Sequence, residues 1–316
     1  MKKYIEIIIV AIIAITLTVL GFVFNPISLS KLQLETLLIL GCVCGGSALY
    51  CFVVGEITRN NSQMDKLWSL LPIAYTWIIA AKSGMNARQV IFAVLVTLWG
   101  IRLTINFARK GAYQWKFWTG EEDYRWPILR KKKILSNKFV WALFDLFFIS
   151  IYQNALVLAI CLPSLAGMES TAPIGVFDYI AIGGASLFLI IEVAADEQQM
   201  FFHTTKRKML AEGKKLEELP EPFNKGFNTL GLWSRSRHPN YLGEQGFWFM
   251  LYFFAIGSGM VTYYCFSWSL AGSMLLILLF LGSAEFQETV SKGKYPEYQH
   301  YLDTVSKYIP FRKYRS

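Results

Sequence analysis

The chain alternates between long apolar stretches and shorter polar connections. Runs of about 20 apolar residues have the length that crosses a hydrocarbon core about 30 Å thick. Because the third run is short and the last two are nearly continuous, the pattern predicts seven to nine spans in an all-α, polytopic membrane helical bundle. The apolar runs occupy residues 5–24, 36–55, 67–82, 88–107, 139–160, 174–195, 245–265 and 267–284.

The composition favours a single membrane domain. Hydrophobic residues make up 54% of the 316 residues and the mean hydropathy is +0.37, which is more apolar than a soluble domain of this length requires. No repeat, low-complexity tract or linker divides the chain, so we predict one integral membrane domain over residues 1–316. A cleavable signal peptide over residues 1–24 is disfavoured, because no cleavage site of small residues follows that stretch.

Basic residues are concentrated in alternate connections. Residues 109–138 contain nine Lys or Arg, residues 196–240 contain eight and the tail after residue 285 contains six, whereas residues 161–173 contain none. Positively charged connections stay on the cytoplasmic side of a membrane, so we expect both termini and the basic connections to be cytoplasmic. The net charge of +9 then reflects topology and anionic membrane lipids, and nucleic acid is not expected as a partner.

The five cysteines form no recognisable metal or disulfide motif. They lie in or beside apolar stretches, their number is odd, and no His lies at metal-ligand spacing from them. We therefore predict small core residues and no metal site. The cysteines are Cys42, Cys44, Cys51, Cys161 and Cys265.

The segment from residue 231 to residue 244 carries the strongest functional signal. It reads Gly-Leu-Trp-Ser-Arg-Ser-Arg-His-Pro-Asn-Tyr-Leu-Gly-Glu and leads into an apolar helix, where charged groups are costly to hold. Pro239 predicts a helix N-terminus, whose free amide groups attract anions, and Arg237 and His238 directly precede it. Because guanidinium groups pair with phosphate oxygens in bidentate fashion, the segment predicts a nucleotide phosphate site.

Aromatic and acidic residues of the same segment extend this prediction. Trp233 and Tyr241 offer flat faces on which a nucleobase or nicotinamide ring can stack, although interfacial aromatic residues also serve as membrane anchors. Glu244 lies one turn into the apolar helix and is the residue least expected there on solubility grounds.

Other polar clusters lie on the same predicted face of the membrane. Arg102 lies inside an apolar run, where it either binds an anion or extends its charged end to the interface. The loop that follows contains Asp123 and Arg125. At the end of the sixth span, Asp196 and His203 share a helix face, an arrangement that suits a phosphorylated ligand but is also ordinary for a helix end.

The tail contains a tyrosine-rich stretch, Tyr-Pro-Glu-Tyr-Gln-His-Tyr, that begins at residue 295 and includes Tyr298. Its polar-tipped rings either close over a ligand or belong to an amphipathic helix that lies on the membrane. We expect the polar clusters of the cytoplasmic face to gather into one nucleotide pocket.

These motifs resemble the steroid 5-alpha-reductase superfamily. The resemblance rests on Leu-Trp-Ser-Arg-Ser-Arg-His-Pro-Asn-Tyr-Leu-Gly-Glu, on Trp-Gly-Ile-Arg-Leu with Gly-Glu-Glu-Asp-Tyr-Arg-Trp, and on the final Tyr-x-x-Tyr and Ile-Pro-Phe. It covers residues 65–311, whereas residues 1–60 carry little signature. The chain looks most similar to an uncharacterised bacterial branch, which implies a bacterial cytoplasmic membrane and a function in lipid metabolism.

Members of that superfamily are polytopic membrane enzymes that bind NADPH in a cytosol-facing cavity and reduce a carbon–carbon double bond. The resemblance implies an NADPH-dependent oxidoreductase acting on a hydrophobic, lipid- or steroid-like substrate. The second and third spans depart from the animal enzymes, although Glu56, Asp65 and Tyr75 occupy the region of their substrate contacts. The cofactor-binding residues that it implies, beside the stacking face of Trp233, are Arg102, Asp123, Arg125, Asp196, Arg237, His238, Asn240 and Tyr298.

The chemistry of such a reduction suits the residues at the start of the apolar helix. Adding hydride to the β carbon of an enone requires an acid that polarises the carbonyl oxygen. A tyrosine hydroxyl or a carboxylic acid kept neutral by burial serves that purpose, so Tyr241 and Glu244 are the predicted catalytic residues. Because the chain has no Gly-x-Gly-x-x-Gly motif, the dinucleotide would be held between helices and loops.

Two other functions stay open. Membrane isoprenylcysteine methyltransferases carry a similar Arg-His-Pro-x-Tyr-x-Gly motif and bind S-adenosylmethionine, but the Gly-Glu-Glu-Asp-Tyr-Arg-Trp loop and the carboxylates around Asp196 argue against that reaction. A non-catalytic lipid- or sterol-binding protein is the second alternative, because a scaffold can persist after catalysis is lost.

Overall fold

The structure, a computed structural model, describes residues 2–264 and 266–314. Met1, expected at a cytoplasmic N-terminus, and Cys265, expected in the core, lie outside the described residues. The chain divides into two compact units, one formed by residues 1–11, 183–250 and 276–316 and the other by residues 12–182 and 251–275. We call them the terminal unit and the central unit.

The described chain is helical. One span contains a π-helical segment, Asp145–Tyr152, between its two α-helical parts. The α-helices are α1 (Lys2–Phe24), α2 (Lys31–Thr58), α3 (Gln63–Leu67), α4 (Leu71–Lys82), α5 (Ala87–Ala108), α6 (Arg125–Arg130), α7 (Lys138–Phe144), α8 (Gln153–Ala159), α9 (Leu162–Ala166), α10 (Val176–Ala211), α11 (Pro239–Leu251), α12 (Phe253–Gly257), α13 (Ala271–Lys294) and α14 (Tyr298–Thr304).

The apolar helices make this an integral membrane protein, as the sequence predicted. Within the described ranges, six helices are long and apolar enough to cross a membrane, rather than the expected seven to nine. They are Ile7–Phe24, Lys31–Thr58, Ala87–Ala108, Lys138–Ala159, Val176–Ala211 and Trp268–Lys294.

The other two predicted spans are shortened by the local backbone. The third becomes α4, which has 12 residues and starts beside Pro72, and the left-handed backbone of Gly84 and Met85 lies just beyond its end. The seventh is interrupted at Tyr252 between α11 and α12. Gly259, with a φ of 70°, then turns the chain away from a helical path.

A buried ion pair lies inside the central unit. The Arg88 guanidinium donates from Nε to Asp178 Oδ1 at 2.7 Å and from Nη2 to Asp178 Oδ2 at 2.9 Å. The same guanidinium donates to the hydroxyl oxygen of Ser170 and to the carbonyl oxygens of Ala172, Pro173 and Gly257. Both charged side chains are fully buried, so these hydrogen bonds replace the water that each charge has lost.

In the terminal unit, α10 and α11 approach closely through glycine. A Cβ placed on Gly243 would lie 2.8 Å from Cβ of Glu192 and 3.0 Å from the carbonyl oxygen of Phe188. A Cβ on Gly246 would overlap the Phe188 ring. This contact positions the start of α11, which carries the predicted catalytic residues, against the middle of α10.

The Gly243→Ala variant should therefore be destabilised by about 1 to 3 kcal/mol, because the obstructing atoms include helix backbone and cannot move aside. Thermal unfolding of the purified protein in detergent would measure the loss. Gly282→Ala is the matched control: a Cβ on Gly282 meets no atom within 4 Å, so the control should be neutral or slightly stabilised. Equal unfolding temperatures for the two variants would contradict the prediction.

Candidate functional site

The C-terminal tail holds the segment of residues 231–244 in place. Ser236 and Ser306 form a short parallel bridge. The Arg237 amide donates to the Ser306 carbonyl oxygen at 2.9 Å, and the His238 amide donates to the Lys307 carbonyl oxygen at 3.1 Å. The tail therefore packs along the segment and fixes the backbone from which α11 begins.

Arg237, His238 and Glu288 form a buried charge network. Glu288 Oε1 accepts a hydrogen bond from Arg237 Nε at 2.9 Å and lies 3.0 Å from His238 Nε2. Arg237 Nη1 also donates to the carbonyl oxygens of Leu302 and Val305, at 2.9 and 2.5 Å. Because Nε and Nη1 are engaged within the protein, Arg237 anchors the tail as well as supplying positive charge.

Burial lowers the pKa of His238 below its ordinary value of 6.5, and the positive charges of Arg237 and Lys307 act in the same direction. The hydrogen bond and the negative charge of Glu288 oppose the shift without reversing it. We therefore expect a neutral imidazole in the folded protein at neutral pH.

A folded-state pKa below the unfolded one makes this histidine a source of acid sensitivity. Its contribution to stability is complete above the unfolded pKa of about 6.5 and is lost as the pH falls through the folded-state pKa, because the unfolded chain takes up the proton first. Unfolding temperatures measured between pH 8 and pH 5 should fall more steeply for the wild type than for His238→Gln. Parallel curves would remove His238 as the cause.

The two aromatic residues of the segment have different surroundings. The Trp233 indole donates to the Ala195 carbonyl oxygen at 3.0 Å and is almost fully buried, so it packs on α10. Tyr241 stacks on the His238 ring with centroids 5.2 Å apart, and its hydroxyl oxygen accepts a hydrogen bond from Gln287 at 2.6 Å. The hydrogen bond from Gln287 orientates the Tyr241 hydroxyl, as the role of an acid or hydrogen-bond donor requires.

Three other predicted residues lie on α10 and α11. Glu244 is buried, with 4% of its surface exposed. Asn240 is partly buried, and its side-chain oxygen has no hydrogen-bond partner in the structure. Asp196 is half-buried on α10, which continues to residue 211 instead of ending after the sixth predicted span.

Tyr298 belongs to an aromatic cluster of the terminal unit. It is buried with Phe227, Tyr301 and Val305, and its ring meets the Phe227 ring edge-on at 4.9 Å. The Tyr301 hydroxyl donates to the Trp233 carbonyl oxygen at 2.5 Å. The tyrosines of the tail thus attach it to the segment of residues 231–244.

A second polar cluster lies in the central unit. Arg125 pairs with Asp65 at 2.9 Å and with Asp123 at 2.7 Å, and the Trp126 indole donates to Asp65 at 2.8 Å. Arg102 is half-buried on α5. Because Asp65 and Asp123 both contact Arg125, the charge of this guanidinium is compensated within the cluster.

The terminal unit thus brings together eight of the predicted residues, whereas Arg102, Asp123 and Arg125 belong to the central unit. A single pocket that joins both groups stays a prediction. The eight residues of the terminal unit are Asp196, Trp233, Arg237, His238, Asn240, Tyr241, Glu244 and Tyr298.

Sequence reasoning missed Glu288. A buried guanidinium needs a carboxylate partner, and Glu285 and Glu288, at the inner end of the last apolar helix, were the acids available for Arg237. Only the fold distinguishes them: Glu288 is fully buried in the network, whereas Glu285 is 31% exposed and pairs with Lys307.

Sequence reasoning also assigned no role to the segment Asn-Asn-Ser-Gln that begins at residue 60. Its polar groups hold the loop that precedes α6. The Asn61 backbone amide donates to the Glu122 carboxylate at 2.8 Å, and the Asp123 backbone amide donates to the Ser62 hydroxyl oxygen at 2.8 Å. The dense run of short polar side chains directly after an apolar span was the available signal.

The cysteines and other potential ligands show no metal arrangement in the part of the chain that the structure describes, where no group of three or more His, Cys, Asp or Glu residues is suitably placed. The described cysteines, Cys42, Cys44, Cys51 and Cys161, are free thiols.

Comparison with known proteins identifies the family. Residues 51–305 match the family described as "Protein of unknown function (DUF1295)". The chain belongs to this family. The DUF1295 family is related to steroid 5-alpha-reductase-like membrane proteins, in agreement with the resemblance seen in the sequence.

A curated relative of the chain comes from a fungus. The chain is 33% identical over 285 residues to an uncharacterized protein of Schizosaccharomyces pombe (strain 972 / ATCC 24843), with 83% of this chain and 78% of the relative covered. Because that relative is fungal, it gives no support to the expected bacterial branch. No solved structure matches the DUF1295 chain.

Proposed function

We propose that this protein is a membrane-embedded, NADPH-dependent reductase of a carbon–carbon double bond, conjugated to a carbonyl, in a lipid- or steroid-like substrate. We also propose that the protein lies in a cytoplasmic membrane and that its active site opens to the cytoplasm. Its support is the family relationship together with the polar groups at the start of α11. We propose Glu244 and Tyr241 as the catalytic residues.

The observation that carries the proposal is the side-chain oxygen of Asn240. It is shielded from water and has no hydrogen-bond partner, and an unsatisfied buried acceptor costs about 1 to 3 kcal/mol. A ligand that donates a hydrogen bond there removes this cost. A nicotinamide dinucleotide has such donors in its carboxamide and its ribose hydroxyls, so the residues present fit the cofactor.

The neighbouring groups suit the rest of such a ligand. Arg237 provides a cation for a phosphate oxygen, and the neutral His238 supports the Tyr241 ring by stacking. The resemblance adds Arg102, Asp123 and Arg125 to the residues proposed to bind the cofactor.

The chemistry requires a hydride and a proton. When bound, NADPH supplies the hydride to the β carbon of the substrate. Tyr241 and Glu244 provide hydrogen-bond donation to the substrate carbonyl oxygen, which stabilises the negative charge that develops there. Gln287 orientates the Tyr241 phenol. Delivery of one proton from either group completes the reduction.

Ligand binding to the purified protein tests the proposal. NADPH, but not S-adenosylmethionine, should raise the unfolding temperature in proportion to the logarithm of its concentration. Asn240→Leu should weaken NADPH binding about three- to tenfold by removing one hydrogen bond. Gln299→Leu, a change at an exposed position of α14, is the control and should bind normally. If S-adenosylmethionine stabilised the protein and NADPH did not, the proposed reductase function would be wrong and methyl transfer would take its place.

Glu244→Gln should bind NADPH normally and lose turnover about a hundredfold or more, because an amide cannot deliver the proton. The measurement is NADPH oxidation with a panel of steroid-like and isoprenoid enones. Wild-type turnover in this variant would exclude Glu244 as the acid and leave that role to Tyr241.

A further inference from the structure

The connection between α5 and α7 presents an exposed tryptophan on an ordered loop. Trp115 is 102% exposed, the largest exposed fraction among the large hydrophobic side chains described. The loop closes through a hydrogen bond from the Glu121 amide to the Gly111 carbonyl oxygen at 3.0 Å. We call residues 111–121 the tryptophan loop.

Side chains of the segment after α2 fix this loop from one side. Lys66 Nζ donates to the carbonyl oxygens of Phe117 and Thr119, at 2.8 and 2.6 Å. Gln63 donates to the Trp118 carbonyl oxygen and Asn60 to the Gly120 carbonyl oxygen, at 3.1 and 3.0 Å. Four successive carbonyl oxygens are therefore held, so the loop has one defined shape.

The aromatic rings of the loop point in different directions. Phe117 packs inward, against Tyr50 and Tyr113 at centroid distances of 6.4 and 5.9 Å. Trp115 extends outward, and Trp118 is 47% exposed. Holding a large apolar ring in water on a rigid support is unfavourable, so a partner for the Trp115 ring is expected outside the central unit.

The charges of the same connection indicate the partner. Residues 109–138 contain nine basic and three acidic residues. Two of the acids are neutralised internally, Glu122 by Arg130 and Asp123 by Arg125. The basic side chains of residues 131–133 are exposed, and this run ends five residues before the membrane span that starts at Lys138.

Large apolar side chains are also exposed just before this span and at its start. Ile134 is 76% exposed and Phe139 is 70% exposed. Basic residues directly outside a span attract anionic phospholipids, and tryptophan prefers the level of the lipid head groups. The combination matches the inner surface of an anionic membrane.

We propose that the tryptophan loop and Lys131–Lys133 form a binding surface for anionic phospholipid, in which Trp115 inserts at the head-group level and the three lysines contact phosphate groups. The surface does not depend on the proposed reductase activity. It anchors the connection between α5 and α7 to the membrane surface.

Lipid binding by the full-length protein tests the lysines. Purified protein in a neutral detergent is titrated with phosphatidylglycerol and with phosphatidylcholine, and bound lipid is counted by native mass spectrometry. Replacing Lys131, Lys132 and Lys133 by Gln should weaken phosphatidylglycerol binding about tenfold or more and leave phosphatidylcholine unchanged. The matched control replaces three exposed lysines of the terminal unit, Lys208, Lys214 and Lys215, by Gln, and should bind almost normally.

Equal losses in the two triple variants would overturn the proposal, since they would show a general charge effect. Unfolding temperatures distinguish lost binding from lost folding. If the Lys131–Lys133 variant does not fold, raised salt applied to the wild type gives a second measurement. Phosphatidylglycerol binding that does not weaken with salt would contradict the electrostatic contact.

Fluorescence quenching tests the tryptophan. The wild type and Trp115→Phe are reconstituted in phosphatidylglycerol nanodiscs, and the difference between their emission spectra is the Trp115 signal. Phospholipid brominated near the head group should quench that signal, and aqueous iodide should quench it weakly. Strong quenching by iodide with no quenching by brominated lipid would place the ring in water and overturn the proposal.

Discussion

Replacing Arg88 by methionine is expected to destabilise the protein by about 3 to 5 kcal/mol, because it leaves the Asp178 carboxylate buried without its cation. Asp178 is fully buried and receives two hydrogen bonds from Arg88. The substitution also leaves three carbonyl oxygens and the Ser170 hydroxyl without the donor that they share. Urea or thermal unfolding in detergent would measure the effect.

A second substitution separates lost charge pairing from lost packing. In the double variant Arg88→Met with Asp178→Leu neither member of the pair carries a charge. This variant should therefore regain part of the stability lost by Arg88→Met. Arg235→Met, at an exposed arginine, should unfold like the wild type. An Arg88→Met variant as stable as Arg235→Met would mean that the ion pair contributes nothing to the fold.

Glu288→Gln is expected to cost about 3 to 5 kcal/mol of stability, because Arg237 then keeps a buried charge without its carboxylate partner. The same change disturbs the contacts that hold the tail against the segment of residues 231–244, so NADPH binding, if the proposed function is correct, should weaken as well. Unfolding temperature and NADPH affinity are measured on the same preparation.

Glu285→Gln provides a close control, one turn earlier on the same helix. Glu285 is 31% exposed and pairs with Lys307 at 3.3 Å, and a pair near the surface contributes about 1 kcal/mol or less. A Glu288→Gln variant that behaves like Glu285→Gln would show that Arg237 needs no anion to stay buried. Loss of stability without loss of NADPH binding would separate the network from the proposed cofactor site.

Several features of the molecule followed from the sequence. Six of the eight apolar runs became long helices, because an uninterrupted apolar stretch of membrane length satisfies its backbone hydrogen bonds only by forming a helix. Pro239 marked the start of α11, as its fixed φ and missing amide proton require. The motifs around residues 99–126 and 231–244 indicated a relationship that the family comparison supports at a coarse level.

Hydropathy alone did not predict that these two apolar runs would form short helices. Residues 67–82 and 245–265 were apolar enough to suggest spans, but local backbone conformations shortened them. The left-handed residues Gly84 and Met85 follow α4, and the break at Tyr252 divides α11 from α12. Apolar composition measures burial or lipid contact, and it does not determine where a helix ends.

The sequence by itself determined the membrane environment, the positions of the long helices and the residue types of the candidate site, because these depend on local composition and periodicity. Only the tertiary structure decided which charges neutralise one another. Arg237 and Glu288 are 51 residues apart and Arg88 and Asp178 are 90 residues apart. Their pairing depends on how helices that are distant in the sequence pack together. Because of that packing Arg237, which the sequence predicted to bind phosphate, also anchors the C-terminal tail.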